Sequence, residues 1–156
     1  MIHVNQIIDI SKKHVRLFEN TFHSLTETGK LEALIYNVLI CNFSLQSRYS
    51  MQQVEELNFD IFALLIGELK MHIDETDDDA LGFMIEKCFA KHTKDIVMIL
   101  DEGAKFDPMT SYKSFVVSPF KPINDPEVAV EEMSKFKTAL VQMTNAVLTE
   151  IDAVPD

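Results

Sequence analysis

Residues 74–79 read Asp-Glu-Thr-Asp-Asp-Asp, five acids in six positions: Asp74, Glu75, Asp77, Asp78 and Asp79. Carboxylates this dense can ligate a hard cation, hold the lysines and arginines of a basic partner, or cap a helix. A calcium loop of the EF-hand kind needs oxygens at its first, third, fifth and twelfth positions and glycine at the sixth. Counting from Glu75 gives Glu75, Asp77, Asp79 and Glu86, but Ala80 stands where the turn needs glycine. Magnesium-assisted diphosphate chemistry needs a second acidic motif facing the first, and basic residues for the phosphates. The chain has one such cluster, no glycine-rich phosphate loop, and Arg16 and Arg48 as its only arginines. No metal or cofactor is expected on these grounds. Acids at a helix N-terminus stabilise it by ~0.3–1 kcal/mol each, because they meet free amides and the positive end of the dipole. One or two suffice for a cap, so the surplus points to a partner surface.

The five histidines, His3, His14, His23, His72 and His92, have no Glu three residues before them, so the di-iron bundle pattern is missing. His92 follows Cys88 by one helical turn, which could make a thiolate dyad or half a metal site, but no third member is readable. Arg16 and His23, seven apart, are spaced as in the Arg-to-His motif that they resemble, that of the HEPN ribonucleases; Leu17 follows the arginine where that family has a polar residue. Glu55 and Glu56 resemble the start of the EExxE signature of MazG-type nucleotide pyrophosphohydrolases. The third acid, Asp60, comes one place late, which rotates it by about 100° on a helix. No GxSxG, Walker or HExxH motif is present.

The 156 residues suit one domain, 1–156, with 47% apolar and 25% charged residues. A net charge of -11 should repel nucleic acid and anionic membrane and attract a basic protein. Cys41 and Cys88 sit in separate apolar runs, as buried, reduced thiols do. The N-terminus lacks a basic start followed by an apolar run, and no segment is long and apolar enough to span a bilayer, so a cytoplasmic protein is expected.

With only four glycines, and four of the five prolines between Pro108 and Pro126, long helices are expected. Apolar stripes predict helices over about 4–25, after the Thr26–Gly29 break with an apolar face from Leu31 to Phe43, from Ser50 to about Ile73, and from Thr76 or Asp77 to Gly103. The third is apolar nearly all round, which predicts a central helix. Ser50 with Gln53 forms a capping box. A fifth helix starts at Asp125–Pro126 and carries the seam Met133, Phe136, Leu140, Met143, Val147. Residues 104–126 break every period and predict a crossover strap rich in proline and aromatics. The tail 153–156 should fray.

The expectation is an all-α bundle of about five helices with one long crossover segment, residues 104–126. Its expected role is a bacterial, non-enzymatic binding protein of the immunity or inhibitor kind, which neutralises a basic toxin or nuclease. Asp74, Glu75, Asp77, Asp78 and Asp79 would hold the partner's cations, and Tyr112 and Phe115 would supply the apolar anchor. The alternatives are a small helical enzyme or a metal- or ligand-binding bundle with a pocket between helices, and a homodimer through the helix at 127–151.

Overall fold

A computed structural model describes residues 1–102, 105–116 and 126–156, with the backbone alone at 102 and 126–129. Six helices form, and no strand occurs among the described residues: α1 Val4–Thr21, α2 Glu27–Arg48, α3 Met51–Lys70, α4 Asp78–Glu102, α5 Met109–Phe115 and α6 Pro126–Ala153.

Local chemistry sets most boundaries. His3 caps α1: its ring accepts from the Asn5 amide, and the Gln6 side chain returns to the His3 amide at 2.9 Å. The helix ends at Thr21, four residues before its expected end, where the Phe22 amide closes on the Phe18 carbonyl. Thr26 then caps α2 by accepting from the Gly29 amide at 2.9 Å, so Gly29 lies inside the first turn and does not break the chain. Ser50 and Gln53 form the expected capping box on α3. Gly103, expected to end α4, and Asp125, expected to cap α6, lie outside the described residues.

The central helix is α2, not α3. Tyr36, Val38, Ile40 and Cys41 are all 0% exposed, and α2 packs on every other helix. On α3 one face is buried through Val54, Leu57, Ile61, Leu65 and Leu69, while Phe59 on the other is 79% exposed. A helix apolar all round serves either geometry, and the number of elements packed on it decides which.

The α6 seam is covered within the chain, mainly by α1 and α2. Phe136, Leu140 and Val147 are fully buried, each stabilising the fold by about 1.5–3 kcal/mol. The surface that raised the homodimer is thus filled intramolecularly. Phe136 is also an aromatic hub, with ring centroids of Phe18, Phe22, Tyr112 and Phe115 at 5.3–5.9 Å.

The segment expected to be aperiodic contains α5, a seven-residue helix too short to leave a period in sequence. The Asp107 carboxylate accepts from the Met109 amide at 3.0 Å and starts it. Phe106, Tyr112 and Phe115 are at most 2% exposed, so the aromatics tie this segment to the core. The crossover itself turns on 117–125, outside the described residues. α5 approaches α2 so closely that a Cβ on Gly29 would stand 2.0 Å from the Phe115 carbonyl oxygen. The tail expected to fray is in contact with α2: Arg48 donates to the Ile151 and Val154 carbonyls at 2.9 and 2.6 Å and pairs with Asp156.

Candidate functional site

The five acids lie in the turn between α3 and α4 and at the start of α4, and all are exposed. Glu75 accepts from the Asp77 amide and Asp77 from the Asp79 amide, both at 3.0 Å, so these two supply the cap. Asp78 pairs with Lys70 across the hairpin. The side chains of Asp74 and Asp79 have no hydrogen bond or ion pair among the described residues. No group of three His, Cys, Asp or Glu side chains converges as a metal site among those residues.

The turn belongs to a larger acidic hairpin, on which Asp95 is buried against α5 and the other described acids are at least partly exposed. Residues 51–102, which make α3, the turn and α4, hold 13 acids against four lysines and no arginine. Nine of the chain's eleven excess negative charges therefore sit on this hairpin. Its outer face carries a groove of about 630 Å³, lined from α3 by Glu55, Asn58, Phe59, Phe62, Ala63, Ile66, Gly67 and Lys70 and from α4 by Asp78 and Glu86. The floor is aromatic and aliphatic, with Phe62 edge-on to Phe89 at 5.6 Å. Phe59 at 79% and Phe83 at 58% exposure add large apolar side chains to the same hairpin. Sequence reading missed these residues because it assigned the second apolar face of α3 to the core. The usable signal is Phe59, Phe62 and Ile66, a three- and four-residue step offset from the buried stripe.

Tyr112 and Phe115 cannot act as surface anchors in this arrangement. They are 2% and 0% exposed, and their rings stack edge-on against Phe136. The Tyr112 hydroxyl donates to Glu132. Burial first, and then this carboxylate, push the phenol's pKa upward.

A second polar constellation is buried between α2, α4 and α5. His92, fully buried, stands with Nε2 3.1 Å from Glu32 Oε1 and Nδ1 3.2 Å from Ser111 Oγ. Ser111 donates to Asp95 at 3.1 Å. Lys91 donates to Glu32 at 2.5 Å and to Ser114 at 3.1 Å. Burial alone would raise the Glu32 pKa, but hydrogen bonds from His92 and Lys91 outweigh it and hold the carboxyl at about 2. Glu32 is therefore ionised at neutral pH and can only accept, so the Nε2 nitrogen of His92 donates to it. The single Ser111 proton goes to Asp95. Burial raises the Asp95 pKa, opposed by Ser111 and His92.

The order Ser111–His92–Glu32 is that of a nucleophilic relay, yet Ser111 is 0% exposed and its hydroxyl already serves Asp95. Cys88 lies 3.7 Å from Glu32, and burial, then the Glu32 charge, push its thiol up to about 11, against thiolate chemistry. Arg16 and His23 do not converge: Arg16 lines a cleft with α2 and α3, and His23 faces α6. Glu55, Glu56 and Asp60 are all exposed on α3. No helix among the described residues is long and apolar enough to cross a membrane. No family model matches the chain, and neither a curated protein nor a solved structure matches it.

Proposed function

We propose that this chain is a non-enzymatic protein-binding module whose partner is basic, and that the α3–α4 hairpin is the binding face. The observation that carries the reading is the coincidence of charge and apolar exposure: nine excess negative charges on a hairpin that also exposes Phe59 and Phe83. Acids around an exposed apolar patch steer a cationic surface and then bury its apolar centre. Asp74, Glu75, Asp77, Asp78 and Asp79 form one end of this face. Phe59 and Phe83 take the anchoring role first expected of Tyr112 and Phe115. A small acidic inhibitor of a basic toxin or nuclease, of the bacterial immunity kind, fits this chemistry.

The test compares wild type with a variant carrying Asn at 74, 77, 78 and 79 and Gln at 75, each used to capture proteins from host lysate. Wild type should retain a stoichiometric basic protein, identified by mass spectrometry, and should release it at high salt. The variant, shown folded by circular dichroism, should not retain it. Equal capture by both proteins, or capture of nothing basic, would refute the proposal.

A further inference from the structure

We infer that the α3–α4 groove seats one amphipathic helix of the basic partner, lying along the hairpin with its apolar stripe on Phe59, Phe62 and Ile66. The inference rests on the binding face proposed above and specifies its occupant. Both walls of the groove are helices, whose backbone groups are already bonded, so neither offers a sheet edge for an added strand. An occupant must satisfy its own backbone groups while it buries apolar side chains, and a helix does so. The lining residues on α3 run from Glu55 to Lys70, a span of about 22 Å at ~1.5 Å per residue, which takes about four helical turns. The groove is open at Gly67, where an added Cβ meets nothing within 4 Å.

Charge selects between candidate occupants. A second copy of this chain, docked by the same groove across a twofold axis, would bring Glu55, Glu86 and the other hairpin acids against themselves. Lys70 is the one cation among the groove's lining residues, and Asp78 holds it. A helix with lysines or arginines flanking an apolar stripe meets acids on both rims instead.

The probe is a synthetic helix of about 18 residues, long enough to fold on contact, with leucine at every third or fourth position and lysine elsewhere. The control replaces each lysine by glutamate. Titration calorimetry should show binding of the lysine peptide and none of the glutamate peptide. Phe59→Ala and Gly67→Leu, which remove an anchor and fill the floor, should each weaken binding about tenfold, and their melting temperatures should stay within a few degrees of wild type. Glu55→Gln with Glu86→Gln should weaken it at low salt and much less at high salt. Equal binding of both peptides, or affinity indifferent to Phe59→Ala and Gly67→Leu, would overturn the inference. So would a wild-type dimer in sedimentation that Phe59→Ala dissociates, because the occupant would then be a second copy. Suppose the peptide ignores the groove variants while the acidic-turn variant still loses the host partner. The helix inference then fails and the basic-partner reading stands.

Discussion

Replacing Glu32 by Gln tests whether the buried polar chain under α5 is held by charge. Glu32 titrates at about 2 in the fold against 4.5 ordinarily. Each pKa unit of difference is worth ~1.36 kcal/mol of stability, so the full shift corresponds to about 3 kcal/mol. Lys91 is 42% exposed, and water screens its share, which reduces the expected effect to about 2 kcal/mol. The folded pKa is depressed, so this stability is fully present above about pH 4.5 and is lost as pH falls towards about 2. The amide oxygen of the introduced glutamine can still accept the His92 Nε2 proton, so packing is retained and only the ionic part is removed. Glu150 and Asp156 are also shifted down, by Lys13 and by Tyr49 with Arg48, so wild type also loses their contributions as pH falls. The difference between the two proteins isolates Glu32. Urea unfolding followed by circular dichroism should give a gap of about 2 kcal/mol at neutral pH, narrowing by more than half by about pH 3. A gap of the same size at every pH would mean that packing, not ionisation, is lost. No gap at neutral pH would mean that desolvation of Glu32 cancels its pairing, and the electrostatic account would fail.

Asp95→Asn acts at the other end of that chain and with the opposite sign. The raised Asp95 pKa adds stability below about pH 3.8 that is lost as pH rises through the folded value, whereas an Asn amide donates to Ser111 at every pH. The variant should gain stability at neutral pH and gain less in acid, read from urea unfolding, and an equal gain at both would refute a titrating Asp95. Gly29→Ala and Gly82→Ala should move stability in opposite directions. At Gly29 the new methyl meets the Phe115 carbonyl carbon at 2.7 Å and its oxygen at 2.0 Å, and separating α5 from α2 should cost about 1–3 kcal/mol or more. At Gly82 the methyl makes ordinary contact with Ile66, and the better helix former should add about 0.5–1 kcal/mol, both read from thermal melts.

What the sequence disclosed follows from the range of each interaction. α1, α4 and α6 were legible because their buried stripes recur every three or four residues, and Ser50 with Gln53 marks a helix start within one turn. The helix at Met109–Phe115 was not, because seven residues give no period and its position depends on Gly29, more than 80 positions earlier. His92 is a core histidine whose partner is Glu32, 60 positions away, and neither residue's spacing marks that pair. Tyr112 and Phe115 looked like loop aromatics free to meet a partner. What buries them is the Phe136 hub, a contact that no local pattern announces.

The acidic turn was legible as to type and location, and its geometry sharpens what the acids can do. Glu75 and Asp77 satisfy backbone amides, Asp78 takes Lys70, and Asp74 and Asp79 serve neither purpose. Placing 13 acids on a hairpin with four lysines sets like charges against one another. That repulsion weakens the compact state, and salt relieves it only in part. Phe59 and Phe83 add a second unfavourable term on the same surface by holding large apolar side chains in water. A cationic, amphipathic partner would remove both terms in one contact, and that joint relief supports the binding face proposed above.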